Sequence, residues 1–95
     1  MVNVNEYFGG KVKSLEVNSP CGKQTVGVIE AGDYEFGTGL KEIMSVLSGS
    51  LNVLLPNQSE WKFFQAETKF EVPANSKFKV KTTEDTAYLC EYVKD

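Results

Sequence analysis

Lys77-Phe78-Lys79-Val80-Lys81-Thr82 alternates a cation with an apolar or β-branched residue along its whole length. Successive side chains on a strand point to opposite faces, so this stretch predicts a strand with its lysines in water and its other face on a core. Those lysines read as a solvated outer face, not a phosphate site. The same period of two runs outward in both directions. Towards the C-terminus lies Thr86 to Val93. Towards the N-terminus come Thr68 to Val72, which stops at Pro73, then Trp61 to Phe64, and Ser50 to Leu55, which stops at Pro56. Further upstream Asp33 to Phe36, Thr25 to Ile29 and Gly10 to Val17 read the same way. Glycine, proline and asparagine clusters punctuate the intervals. Short strands recurring roughly every ten residues predict an all-β antiparallel sandwich or barrel. Open edges would expose unpaired N–H and C=O groups, so a closed or nearly closed shape is expected. Leu40 to Leu47 is ambiguous, because Leu40, Ile43, Met44 and Leu47 also fit helical spacing. We read most of it as strand, with Leu51 to Leu55 folding back on it as a hairpin through Ser48-Gly49-Ser50.

The chain has 95 residues, 41% of them hydrophobic and 24% charged, which suits one soluble globular domain spanning 1–95 and excludes a disordered or fibrous chain. Ten lysines face thirteen acids, for a net charge of −3, which argues against a general nucleic-acid or membrane-surface binder. Arginine and histidine are both absent. Without histidine there is no Ser-His-Asp or Cys-His machinery and no histidine-based zinc or iron site. Acid–base work would need a shifted carboxylate, lysine, cysteine or tyrosine. Without arginine, an anion must be held by lysine, backbone N–H groups or hydroxyls.

Cys21 and Cys90 lack CxxC spacing, which excludes a zinc ribbon or a thioredoxin-type motif. Cys90 reads as a buried small hydrophobe, and Cys21, in Ser-Pro-Cys-Gly, as a turn residue open to solvent. Neither a secretory signal nor a membrane-spanning segment is evident, so a cytoplasmic location with reduced thiols is expected. Trp61 has no motif around it and reads as core or interface.

Glu42 is followed six residues later by Gly49, and Pro73 stands between two strands with Asn75 and Phe78 after it. This resembles the two-part signature of the cupin barrel. The positions of the cupin metal-binding histidines fall on Phe36, Thr38 and Phe78, and the second-motif glycines are replaced by Glu67 and Asn75. One remaining carboxylate cannot supply the three or four ligands of a transition metal, so no bound metal is expected. Within the cupins, four stretches are similar to the small single-domain pyrimidine/purine nucleoside phosphorylases. They are Asn5-Glu6-Tyr7-Phe8 with Gly10 to Ser14, Ser48 to Pro56, Phe70 to Pro73, and Tyr88-Leu89-Cys90 with Tyr92. The resemblance implies a jelly-roll cupin barrel and cleavage of purine and pyrimidine nucleosides by phosphate to free base and ribose-1-phosphate. Inorganic phosphate would be a co-substrate and no cofactor would be needed. Small cupins commonly pair, so it also implies a homodimer.

Phosphorolysis needs anion donors, a carboxylate near the ribose, a flat apolar slot and a proton for the departing base. Glu42 is the catalytic candidate. As an anion it would bind ribose hydroxyls and favour the cationic sugar. With its pKa raised by burial it would donate a proton to the base instead. Tyr34, Phe36, Phe78 and Tyr88 are candidates for the base slot, and Thr38 faces the same interior in the cupin frame. Stacking is tolerant of base identity. Lys23 and Lys41 are the phosphate candidates, with backbone N–H groups of Gly37-Thr38-Gly39 as a further donor set. The same pocket would equally suit a non-catalytic cupin that binds a nucleoside or sugar-like molecule. Only phosphate dependence separates the two.

Overall fold

The period-two pattern is realised as ten strands in a computed structural model that describes residues 1–20 and 22–94. Cys21 lies outside the described residues. In chain order the strands are β1 (Val4–Tyr7), β2 (Val12–Ser19), β3 (Gly22–Ile29), β4 (Gly32–Gly37), β5 (Lys41–Ser48), β6 (Ser50–Leu54), β7 (Lys62–Gln65), β8 (Lys69–Val72), β9 (Lys77–Thr82) and β10 (Thr86–Val93). Every pairing is antiparallel. One sheet runs β1-β2-β3-β10-β5-β8 and the other β4-β9-β6-β7. The pairs β3–β10, β4–β9, β5–β8 and β6–β7 nest inside one another, as in a double-sheet jelly roll.

The expected closed barrel is not formed. The two sheets are hydrogen-bonded separately, leaving β1 and β8 as edges of one and β4 and β7 as edges of the other. Three of these edge strands have only four residues, which shortens the unpaired backbone and answers the edge problem without closure. The expected hairpin of Leu51–Leu55 on Leu40–Leu47 is also absent. β5 pairs with β10 and β8, while β6 crosses to the other sheet and pairs with β7 and β9. The crossing is made at Gly49, whose φ of +88° lies in the left-handed region. A threonine cluster locks it: Ser50 N–H donates to Thr86 Oγ1, and the Thr82 and Thr86 hydroxyls donate to Ser50 O at 2.7 and 2.8 Å. A Cβ on Gly49 would stand 2.5 Å from Thr86 Oγ1, so the turn admits no side chain.

The ambiguity of Leu40–Leu47 resolves in favour of strand. Met44 and Val46 are buried while Leu47 is half exposed, a period of two that no helix would give. β1 carries no alternating apolar face and was not expected from the sequence. It is held by β2 and by Asn5 Nδ2, which donates to Ser14 Oγ and Glu16 Oε2. The core between the sheets is built from Val12, Ile29, Met44, Val46, Leu51, Val53, Phe70, Val72, Phe78 and Val80. Lys77, Lys79 and Lys81 are exposed, as their alternation requires. No helix is long and apolar enough to cross a membrane.

Candidate active site

Towards one end the sheets part around a cavity of about 390 Å³, within the range of small-molecule sites. β5 brings Glu42 and Met44 to it, and β10 brings Tyr88, Cys90 and Tyr92. β4 and β9 contribute Phe36 and Phe78, while Tyr7, Phe8, Ser14 and Glu35 complete the wall. Period two puts Tyr88, Cys90 and Tyr92 on one face of β10, and the register sets Met44 opposite Cys90 and Glu42 opposite Tyr92.

Glu42 is half-buried. Loss of water pushes its carboxyl pKa above the ordinary value, and a hydrogen bond from Cys90 Sγ to Oε1 at 3.4 Å partly opposes the rise. Burial, reinforced by the neighbouring Glu42, keeps Cys90 a thiol. The Tyr88 phenol is pushed up to about 12 by burial, and Tyr92 is also raised, mainly by burial, with its Oη 3.3 Å from Thr25 Oγ1. The cavity floor therefore presents one carboxyl among neutral S–H and O–H groups.

The opposite wall is aromatic. Phe36 and Phe78 lie 5.6 Å apart with rings tilted by 33°. Phe8 sets its edge against Phe36 at 5.6 Å and against Tyr34 at 5.0 Å. Phe8, Gly9 and Gly10 take φ values of 54°, 67° and 91°, three successive left-handed residues that turn the chain from β1 to β2 beside the cavity that Tyr7 and Phe8 line. For Phe8 that conformation is strained.

The structure brings Glu42, Phe36, Phe78 and Tyr88 together around the cavity, with Gly37 of the candidate backbone donor set, and sets Tyr34, Thr38, Lys23 and Lys41 outside its lining. Tyr34 lies behind Phe36, with its ring centroid 6.0 Å away and its hydroxyl donating to Glu30 O at 2.6 Å. Thr38 clasps the turn before β9, donating to Pro73 O at 2.7 Å and accepting from Ser76 N–H at 3.0 Å. Lys41 pairs with Glu71 at 3.0 Å. Lys23 lies over the Tyr92 ring, 5.3 Å from its centroid, in a neighbouring groove that shares Tyr92 with the cavity. Trp61 is partly exposed beneath Lys81, whose Nζ is 4.2 Å from the ring centroid.

Sequence reasoning passed over Tyr7, Phe8, Ser14, Glu35, Cys90 and Tyr92 as site residues. Cys90 and Tyr92 were within reach, because they follow Tyr88 at intervals of two. Tyr7, Phe8 and Ser14 were not, because they depend on β1 pairing with β2. No cluster of three or more His, Cys, Asp or Glu suited to a metal occurs among the described residues.

Solved structures place the fold in a class. A Vibrio parahaemolyticus protein of unknown function superposes with a TM-score of 0.94 at 39% identity, over 98% of this chain and 99% of that one. The EutQ protein of Clostridium difficile superposes at 0.70 with 11% identity, over 83% of this chain and 64% of that one, a likeness of fold alone. The protein is thus a small cupin-like jelly roll with an aromatic cavity around the half-buried Glu42. The sequence then specifies the family: residues 2–92 match the profile of the pyrimidine/purine nucleoside phosphorylases. Proteins of that name from Pseudomonas savastanoi pv. phaseolicola and Pseudomonas fluorescens are 55% and 56% identical over 92 residues. Those alignments cover 97% of this chain and 99% and 98% of the relatives. The chain belongs to the pyrimidine/purine nucleoside phosphorylase family.

Proposed function

We propose that the protein cleaves both purine and pyrimidine nucleosides with inorganic phosphate, releasing free base and ribose-1-phosphate, and that it does so without a metal or organic cofactor. The observation that carries this reading is Glu42, a half-buried carboxyl with a raised pKa on the floor of an aromatic cavity. The base lies against Phe36, Phe78 and Phe8, where stacking accepts a purine or a pyrimidine. Phosphate oxygen forms a bond to C1′ as the C1′–N bond breaks. The base leaves with the electron pair and takes the carboxylic proton of Glu42. Glu42 regains a proton from hydrogen phosphate, so the products are neutral base and the sugar phosphate dianion. Tyr88 and Ser14 supply hydroxyl donors to the anion, and Lys23 supplies positive charge from behind Tyr92. Lys41, Thr38 and Tyr34 act at one remove, by supporting the strands that carry the site.

The test is incubation of pure protein with uridine and with adenosine, with and without phosphate. Release of uracil and adenine only when phosphate is present, persisting in excess chelator, is the expected result. Base release without phosphate would make the protein a hydrolase. Tight binding with no base released would leave it a non-catalytic nucleoside-binding cupin.

We propose further that two copies pair through the outer face of the larger sheet. There Leu15, Val17, Val26 and Val28 stand exposed on adjacent strands, with Leu15 directly opposite Val26. A self-complementary apolar face suits a twofold pair, and a chain this short gains from burying it. Nucleoside and phosphate are cytoplasmic metabolites, so the reading carries a cytoplasmic location.

A further inference from the structure

We propose that Cys90 is a positioning residue that keeps the reactive proton of Glu42 on one chosen oxygen. This rests on the reading of Glu42 as proton donor and deepens it. A protonated carboxyl is asymmetric, with one oxygen carrying the proton and the other acting as a carbonyl acceptor. The Cys90 thiol donates to Glu42 Oε1, so Oε1 is the acceptor and the proton resides on Oε2. Oε2 receives no hydrogen bond from the described residues, which leaves its proton to a ligand in the cavity.

The thiol is itself oriented. The hydroxyls of Tyr92 and Thr25 lie against Sγ and bond to each other. With Thr25 donating to Tyr92 and Tyr92 donating to sulfur, the S–H has Oε1 as its acceptor. The chain from Thr25 through Tyr92 and Cys90 to Glu42 crosses three adjacent strands, β3, β10 and β5, whose register is fixed by the sheet. A thiol is a weak donor, so it directs the carboxyl without strongly favouring the anion. A cation in the same place would hold Glu42 ionised and remove the proton.

The other groups around Glu42 leave this contact as the directing one. On β10, Tyr88 and Tyr92 are phenols held protonated by burial. Tyr7 of β1 and Glu35 of β4 share the cavity wall. On β8 the residue opposite Glu42 is buried Val72, while exposed Glu71 pairs with Lys41.

The test compares Cys90→Ala and Cys90→Ser, reading steady-state phosphorolysis and the titration of Glu42 by its side-chain carboxyl carbon-13 resonance. In Cys90→Ala the carboxyl can interchange its oxygens. One neutral hydrogen bond is lost, so kcat should fall about three- to tenfold with KM nearly unchanged. The Glu42 titration midpoint should move up, because a donor to the anion has gone. Cys90→Ser, which keeps a donor, should recover most of kcat and bring the midpoint back down. Unchanged kcat in Cys90→Ala, equal loss in both variants, or a Glu42 midpoint indifferent to residue 90 would overturn the inference. The resonance titration is independent of turnover. A wild-type protein with the shifted midpoint but no phosphorolysis would therefore count against the proposed function and not against the thiol contact.

Discussion

Strands β9 and β5 both alternate, yet they place opposite chemistry on their two faces. β9 turns Lys77, Lys79 and Lys81 to water and buries Phe78, Val80 and Thr82. β5 does the reverse at key positions. It carries the Glu42 carboxyl inward beside buried Met44 and Val46, and leaves Leu47 half exposed on the outside. β9 follows the ordinary economy of a sheet, with apolar area removed from water and charge left in it. β5 departs from it on both sides. An acid facing inward costs stability unless it is paired, hydrogen-bonded or kept neutral, so its retention calls for a role. Apolar side chains facing outward cost solubility unless something covers them. On the proposed function, the inward departure serves the reaction and the outward one belongs to the sheet face proposed to pair.

The inward departure breaks most sharply at Glu42. Glu42→Gln keeps the size and polarity of the side chain but cannot pass on a proton. Turnover should fall at least about 100-fold, as expected for loss of a general acid, with circular dichroism unchanged. Near-normal turnover would place the site elsewhere. In the wild type, activity should decline as pH rises through the raised Glu42 pKa, because the acid form is the working one. A decline on the acid side instead would make Glu42 an electrostatic partner of the sugar cation.

The same outer face of the larger sheet, where pairing is proposed, breaks at Val26, exposed on β3 and paired across the sheet with Leu15 and Leu89. Val26→Lys puts a cation in the centre of the apolar face and should convert a two-chain species into a one-chain species in sedimentation velocity. A wild-type protein that sediments as a single chain at all concentrations would remove the pairing.

A smaller effect sharpens the cost of the inward acid. The folded pKa of Glu42 lies above its unfolded value, so between the two the folded chain holds a proton that the unfolded chain has released. Stability should therefore fall as pH rises through that window, and Glu42→Gln should lose less over the same range. Matching thermal midpoints of wild type and variant at every pH would show that the carboxyl is not desolvated. The smallest effect belongs to the strand that obeys the rule. Lys77→Ala, on the wet face of β9, should change stability by no more than about 0.5 kcal/mol in urea unfolding. A larger loss would mean that the lysine face is not simply solvated.

Much of the molecule was legible because a strand has a period of two and the hydrophobic effect reads that period directly. It placed β9 and β10, and with the cupin spacing pointed to Glu42, Phe36 and Phe78. What it could not do was choose partners. Leu40–Leu47 and Leu51–Leu55 look like a hairpin in sequence, but the threonines at 82 and 86 capture Ser50 and send β6 into the other sheet. Tyr34 and Thr38 stand two residues to either side of Phe36, yet Glu30 and the Pro73–Ser76 turn claim their hydroxyls.

The sequence by itself determined the all-β class and the dry and wet sides of most strands. These are properties of single segments, set by side-chain polarity against a fixed backbone repeat. Tertiary structure alone decided that the sheets stay open, that Phe8 joins the cavity lining, and that the thiol of Cys90 meets Glu42 across forty-eight positions of chain. Those outcomes depend on which strand lies beside which, and pairing is a competition among distant segments that no local pattern records.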